Sequence, residues 1–228
     1  MGTQSNWSGV RERVIAIELA GRRARGWSRP DDQPVFEPVL TAAEIAEVED
    51  QYGVELPEEY RTFLAEVGAG GPGPEHELTS LRRIDGQWAW VWGTHDVPLR
   101  PDPSGPFVES EHWRDRQAST LRAAGYEPTT PDEEDDYYDD YLTAFGEAGE
   151  NLWYLDRVRG AVQISDNGCG MTGWLILVGP HRGELRDRDC ADNPPFEPYA
   201  DAHGMPHTFR SWYLDWLQRR ENEMDAAH

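Results

Sequence analysis

The sequence has few cysteines and no long apolar run. Only Cys169 and Cys190 occur among 228 residues, too few for a disulfide framework, so both are predicted to be reduced thiols. No stretch approaches the roughly 18 to 20 apolar residues that a membrane span requires. Charges interrupt residues 1–26, where a secretory signal would need a continuous apolar core. We therefore expect a cytoplasmic protein that does not bind membranes.

Motifs of common enzyme classes are missing as well. The sequence contains no P-loop, no Gly-x-Ser-x-Gly motif and no dinucleotide-binding fingerprint. His203 and His207 are four residues apart, but Gly204 and Pro206 disfavour the helix that a metalloprotease pair needs. Cys169 lies between glycines with no histidine nearby, which favours a tight turn over a nucleophile. We predict no catalytic residues, no cofactor and no metal site.

Basic residues are scarce relative to acidic ones. The chain has 21 basic and 43 acidic residues, a net charge of −22. Such a charge repels phosphate backbones and anionic lipids, which argues against direct binding to nucleic acid or to a membrane surface. The electrostatic complement of this chain is a basic protein, whose association would be steered by charge and weakened by salt.

The first 39 residues are predicted to form a helix followed by a linker. Residues 8–25 place Val10, Val14 and Ile17 on one stripe, which is typical of an amphipathic helix. Three prolines in "WSRPDDQPVFEP" then prevent regular structure. Because Trp7 and Trp27 lie at the two ends of this helix, we expect it to dock onto the rest of the protein.

A helix pair follows the linker. Thr41 and Glu44 form a capping-box pattern, and Gly53 supplies a left-handed stop. A second helix is predicted from Pro57, whose missing amide hydrogen is tolerated in a first turn. Its expected buried side chains are Tyr60, Phe63, Leu64 and Val67.

Beyond the helix pair the hydrophobic period changes from 3.6 to 2. "QWAWVWG" places Trp88, Trp90 and Trp92 on one face, and we expect this face to be buried. "NLWYLD", "GAVQIS", "WLILVG" and "GELRD" are four further candidate strands, and "HTFRSWYLDWLQRRE" is an amphipathic closing helix that Thr208 is expected to cap. The pattern predicts an α+β fold with a mostly antiparallel sheet of about six strands flanked by helices.

Three stretches together resemble one family. "LTAAEIAEVEDQYGVELPEEYRTFLAEVGAGGPGPEHELTSL" is similar to the opening helical signature of the SUKH superfamily, which includes the Smi/Knr-type cell-wall assembly regulators. "AVQISDNGCGMTGWLILVGPHRGELRD" resembles its central strands and Gly-Cys-Gly loop, and "TFRSWYLDWL" its closing helix. Ala69 departs from the family's Gly-Asn-Gly-Gly turn. The resemblance implies one domain over residues 40–217 without a catalytic centre, followed by a tail over 218–228.

Residues 98–150 are predicted to form an insertion, in which "HWRDRQASTLRAAGY" holds one helix. The acidic stretch "PDEEDDYYDDY" follows, and three interpretations compete: a metal site, a solvated loop and a partner-binding surface. The EF-hand spacing is absent, which argues against a metal site. Tyrosines among carboxylates are typical of binding surfaces. The candidate partner-binding residues are Asp132, Glu133, Glu134, Asp135, Asp136, Tyr137, Tyr138, Asp139, Asp140 and Tyr141.

Because many bacterial members of the SUKH superfamily are immunity proteins, the resemblance predicts a non-catalytic protein that binds a basic, nuclease-like toxin and blocks its active site. The alternative is a regulatory scaffold similar to the cell-wall regulators, which would bind an endogenous protein partner. Fold alone does not choose between these functions.

Overall fold

The helices begin and end where hydrophobic period and capping residues predict. The computed structural model describes residues 7–25, 34–74, 77–92, 98–129, 137–189 and 196–226. Within these ranges the α-helices are α1 (Val10–Arg25), α2 (Ala42–Tyr52), α3 (Glu58–Glu66), α4 (Trp113–Ala123), α5 (Tyr138–Phe145), α6 (Gly149–Val158) and α7 (Phe209–Ala226). Single 3-10 turns at Ser110–His112 and Gly146–Ala148 precede α4 and α6. The predicted N-terminal helix, helix pair and closing helix are confirmed, and α7 continues through the predicted tail.

The predicted capping box forms at the N-terminus of helix α2. The Thr41 hydroxyl accepts a hydrogen bond from the Glu44 amide at 3.2 Å, and the Glu44 carboxylate accepts one from the Thr41 amide at 2.8 Å. At the other end Gly53 has φ 64°, the left-handed conformation that lets the chain turn away. Pro57 is the residue immediately before α3, where no amide hydrogen is needed. Local sequence therefore fixes both ends of this pair.

The strands pair antiparallel in two sheets. Within the described ranges they are β1 (Glu77–Leu78), β2 (Ser80–Ile84), β3 (Gln87–Val91), β4 (Pro98–Leu99), β5 (Ala161–Gly168), β6 (Met171–Ile176), β7 (Leu185–Asp189) and β8 (Glu197–Pro198). The large sheet has the order β1-β5-β6-β7-β8, and the small sheet has the order β2-β3-β4. The protein is therefore α+β, as predicted, and three of the eight strands in its described part have only two residues.

One face of the large sheet packs on a cluster built by α1, α3, α7 and the Trp7 ring that precedes α1. Phe63 and Phe209 lie 5.1 Å apart edge to face, and Phe63 and Tyr213 lie 4.9 Å apart. Val162 and Leu175 from the central strands belong to the same buried cluster. Edge-to-face contacts add to the free energy gained from burying aromatic surface. This cluster is the larger of the two hydrophobic cores.

Helix α1 docks onto the domain, as the flanking tryptophans predicted. Trp7 is buried, and its ring lies 5.1 Å from Phe63 and 5.9 Å from Tyr213. Its indole N–H donates to the Thr62 hydroxyl at 3.0 Å. An ion pair from Arg13 of α1 to Glu221 of α7 fastens the exposed side of the helix. Trp27 lies outside the described residues.

The insertion forms a helical layer over the opposite face of the large sheet. Phe107 and Trp113 from the insertion and Val158 from α6 pack with Trp174 and Ile176 of β6 in a second buried cluster. The predicted strand at residues 151–156, "NLWYLD", is wrong, because these residues lie in helix α6. Its aromatic composition favours a strand locally, but packing against α4, α5 and the sheet selects the helix.

The tryptophans of β3 are only partly buried. Trp88 and Trp90 are in the core, whereas Trp92 follows the strand and is 40% exposed. The expectation that all three share a buried face is therefore wrong for Trp92. Ala89 and Val91, which alternate with these tryptophans along the chain, are also fully buried. Both faces of this strand are thus covered.

Gly70 and Gly71, which follow Ala69, lie so close to neighbouring residues that a side chain would not fit at either position. Gly70 has φ 145°, and a Cβ there would meet the Ser80 hydroxyl at 2.6 Å. A Cβ at Gly71 would meet the Phe36 ring at 2.7 Å. Ala69 itself is buried, and its carbonyl accepts from the Leu81 amide at 2.7 Å. The departure from the family turn at Ala69 therefore leaves the backbone contacts of this turn in place.

Substitution of Trp7 tests the docking of α1. We expect Trp7→Ala to reduce the free energy of unfolding by about 3 to 5 kcal/mol, because it leaves a cavity among aromatic rings. The measurement is urea unfolding of the full chain. Val39→Ala is the control, since Val39 is 43% exposed and should change stability by less than about 0.5 kcal/mol. Equal, small effects of both substitutions would contradict docking.

Candidate functional site

The predicted partner-binding residues divide into three groups. Residues 132–136 lie outside the described residues. Tyr137, Tyr138 and Asp139 lie at the start of α5 with half-buried or exposed side chains. Asp140 and Tyr141 are buried, with 6% and 0% exposure. The stretch is thus not a solvated loop throughout, because a helix begins at its eighth residue, Tyr138.

Asp140 is a structural carboxylate. Its Oδ1 accepts from the Tyr126 hydroxyl at 2.9 Å, and its Oδ2 accepts from the amide and the hydroxyl of Thr129, each at 2.9 Å. These bonds tie α5 to the segment that leaves α4. Asp140 is therefore buried and forms its hydrogen bonds within the protein, and the prediction that it faces a partner is corrected.

Tyr141 is also an internal residue, so its predicted surface role is corrected in the same way. Its hydroxyl donates to the buried Asp156 carboxylate of α6. Arg159 approaches that carboxylate at 2.5 Å and reaches Asp102 at 2.9 Å. Burial, followed by the hydrogen bond to Asp156, raises the pKa of Tyr141 far above its usual range. The network joins α5 and α6 to the chain that enters the insertion.

The three remaining predicted residues and three neighbours form a surface of exposed and half-buried side chains that we call the α5 face. It consists of Tyr137, Tyr138, Asp139, Leu142, Glu150 and Trp153. Tyr138 and Leu142 are four residues apart and therefore share one side of α5, and Leu142 is 37% exposed. Tyr138 meets the half-buried ring of Trp153 edge to face at 5.1 Å. Asp139 and Glu150 are exposed carboxylates beside these apolar groups.

Tyr137 adopts an uncommon backbone conformation at the edge of this face. Its φ of 63° is left-handed, a region that bulky residues seldom occupy. Tyr137 directly precedes α5, and its carbonyl accepts the amide of Tyr141 at 3.0 Å. Such backbone strain persists where surrounding contacts fix it. The anchored residues Asp140 and Tyr141 supply those contacts.

Buried arginines lie among the aromatic rings of this layer, where Arg157 contacts Trp153 of the α5 face, and they were not predicted from the sequence. The Arg157 guanidinium lies 4.3 Å from the Trp153 ring and 4.5 Å from the Trp113 ring. Arg186 and Arg188 of β7 are buried too, and Arg188 lies 5.1 Å from Phe196. Stacked guanidinium groups stabilise aromatic layers through cation–π attraction. The alternation in "LRDRD" could have indicated inward-facing arginines.

Thr208 caps a helix, and Cys169 lies in a turn. The Thr208 hydroxyl accepts from the Ser211 amide at 3.3 Å, which confirms it as the cap before α7. Gly168, Cys169 and Gly170 all have positive φ in the exposed turn between β5 and β6, the predicted tight turn. No group of three or more metal-ligating side chains occurs among the residues that the structure describes.

Comparison with known proteins establishes the family. The sequence profile of the SMI1 / KNR4 family (SUKH-1) matches residues 39–170. The chain therefore belongs to this family, as its helical signature and central strand predicted. No curated protein matches the chain. Membership supports a protein-binding role of the immunity or regulatory kind.

The matched range extends from the residue before Leu40 to the turn that follows β5. The structure joins the rest of the chain to this range, because β6 pairs with β5 along six residue pairs. Among the described residues, no helix has the length and apolar character to cross a membrane.

Replacing the Tyr141 hydroxyl tests the internal network. We expect Tyr141→Phe to cost about 1 to 3 kcal/mol near neutral pH, because Asp156 loses its buried donor. The folded-state pKa of Tyr141 lies above the unfolded value of about 10, so its stabilising contribution is complete below that pH and is lost as pH rises further. The stability gap between wild type and variant should narrow by about 1.4 kcal/mol per pH unit above pH 10.

Urea unfolding at a series of alkaline pH values measures this gap. Tyr138→Phe is the matched control, since Tyr138 packs through its ring on Trp153. It should cost less than about 0.5 kcal/mol at neutral pH. A gap for Tyr141→Phe that stays constant with pH would contradict the assigned hydrogen bond.

Proposed function

We propose that this chain is an immunity protein that performs no reaction and neutralises a basic, nuclease-like toxin in the bacterial cytoplasm. The observation that carries the proposal is the α5 face, where the exposed Leu142 and half-buried aromatic rings lie near exposed carboxylates on an acidic domain. Family membership supports a protein partner, and the net charge of −22 favours a basic one.

The composition of the α5 face suits protein recognition. Tyrosine and tryptophan are enriched at interface hot spots because they bury large area with few rotatable bonds. Tyr138 and Trp153 are held against each other before any partner binds. Association with a partner would therefore cost little free energy for ordering these two side chains. Residues 132–136, which carry five carboxylates, directly precede this face in the sequence.

The proposed mechanism is occlusion assisted by charge. Nuclease active sites attract phosphate, so a carboxylate-rich surface is complementary to the same groups. Carboxylates at the rim would accelerate encounter, and the apolar groups of the α5 face would slow dissociation. A regulatory scaffold would instead engage a resident protein, and the capture experiment below separates the two functions.

Capture of the toxin tests function and site together. The protein is used as bait against lysate and secreted proteins of its source strain. The test variant changes Asp132, Glu133, Glu134, Asp135, Asp136 and Asp139 to their amides and keeps the buried Asp140. We expect wild type to recover a basic toxin domain and the variant to recover at least about tenfold less, since several charge pairs are lost.

A second variant controls for net charge. Neutralising Glu12, Asp50, Glu58, Asp85, Glu111 and Asp115, all exposed and outside the insertion's acidic stretch, changes the charge from −22 to −16 by the same six units. This variant should retain the toxin. Equal recovery by all three proteins would keep the immunity function and refute the site. Recovery of a resident cell-wall or signalling protein would favour the scaffold.

Salt dependence tests the electrostatic part separately. Raising the ionic strength from about 0.05 M to about 0.5 M should lower the association rate of wild type by at least about tenfold, because exposed charges are screened. The dissociation rate should change far less. Stopped-flow measurement with the captured toxin provides both rates. An association rate that is independent of salt would remove charge steering from the mechanism.

A further inference from the structure

A cleft opens between the two sheets beside strand β5, because the neighbouring strand β1 is too short to cover the whole edge of β5. Strand β1 has only two residues, and it pairs with residues 165 and 166 of β5. The remainder of the β5 edge, from Ala161 to Gln163, borders the cleft instead. The opposite wall is the segment from Pro98 to Pro101, and α6 closes the third side. The cleft is thus a direct consequence of the short edge strand.

The walls of the cleft are apolar and aromatic. They include Leu99, Tyr154, Leu155 and Trp174. The volume is about 180 Å³. An engineered cavity of about 150 Å³ is enough to hold benzene, whereas sites for drug-sized ligands exceed about 300 Å³. The cleft therefore fits one ring-sized or leucine-sized group, too small a space for a nucleotide.

Three polar side chains surround this apolar space. Arg100 and Asn151 are exposed, and Gln163 is half-buried with one long hydrogen bond, 3.4 Å, to the Ser165 carbonyl. The Arg100 guanidinium has no hydrogen bond, ion pair or ring contact among the residues that the structure describes; its recorded influence is a charge effect on Tyr52. A free guanidinium is a natural receptor for a carboxylate.

The position of Arg100 is unusual within this protein. Most other arginine side chains described by the structure are hydrogen-bonded, ion-paired or stacked, as with Arg122 on Glu127 and Arg182 on the Leu56 carbonyl. Although the chain has 43 acidic residues, no carboxylate among the described residues pairs with Arg100 beside the cleft. Its charge is complementary to an anion, whereas the α5 face is complementary to a cation.

We propose that this cleft binds an apolar residue of a protein partner whose neighbouring residue carries a carboxylate. The apolar side chain enters between Tyr154 and Trp174, and the carboxylate pairs with Arg100. Asn151 is placed to hydrogen-bond the partner's backbone. The inference rests on the proposed function, because it assumes that the ligand is part of a protein partner. The cleft and the α5 face lie on two sides of α6, so one partner could contact both.

Peptide titration of the full-length protein tests the cleft without any toxin. The probes are acetyl-Gly-X-Asp-Gly amides in which X is Leu, Phe or Trp, each beside a matched peptide with Asn in place of Asp. Binding is followed by NMR at the side-chain amides of Asn151 and Gln163 and at the Trp174 indole. We expect at least one Asp peptide to shift these signals and to bind about fivefold more tightly than its Asn match.

Arg100→Gln should abolish the preference for Asp over Asn, and the exposed position of Arg100 makes the substitution compatible with folding. Arg122→Gln, at the exposed Arg122 on α4, should leave the preference unchanged. The proposal is overturned if no peptide shifts the three signals, or if Arg100→Gln keeps the preference. N-acetylphenylalanine binding as tightly as the best peptide would overturn the assignment to a protein partner.

The two proposals fail in distinguishable ways. Loss of toxin capture with intact peptide binding would refute immunity and leave the cleft assignment in place. Absence of peptide binding with intact toxin capture would refute the cleft assignment alone.

Discussion

The fold depends on covering both faces of the large sheet. Its central strands, β5 and β6, carry apolar side chains alternately to the two sides, so neither face can be left in water. The aromatic cluster of α1, α3 and α7 covers one face. The insertion covers the other, with Phe107 and Trp113 against Trp174. The described end of the acidic stretch, residues 137–141, is therefore part of a layer that the core requires.

This arrangement also separates the charges. All 21 basic residues are arginines, and several are drawn inward, with Arg157, Arg186 and Arg188 at 5% exposure or less. Arginine tolerates such sites because its planar, weakly hydrated guanidinium can stack on rings and donate to several acceptors. Carboxylates such as Asp139 and Glu150 remain outside. The buried arginines stabilise the core together with the buried Asp140 and Asp156, and the exposed carboxylates are left for the proposed recognition.

Sequence analysis succeeded where a local rule determined structure. The capping box at Thr41 and the turn at Cys169 follow from a few adjacent residues, and the structure contains both. It failed where contacts between residues far apart in the sequence determine the structure. Residues 151–156 have strand-forming composition, yet Asp156 is buried against Tyr141 and Arg159 in a helix. No local pattern separates Asp139, which is exposed, from Asp140, which is buried, because the difference depends on the donors Tyr126 and Thr129.

The burial of Asp140 and Tyr141 changes the meaning of the acidic stretch without removing its proposed role. A wholly solvated run of carboxylates would lose much conformational entropy on binding a partner. Here its C-terminal part is the first turn of a helix, held by Asp140 on one side and Tyr141 on the other. The side chains of Tyr138 and Asp139 are thereby presented from a rigid support. Buried members of the run orient the exposed ones, so the structural and the binding interpretations of this stretch are complementary.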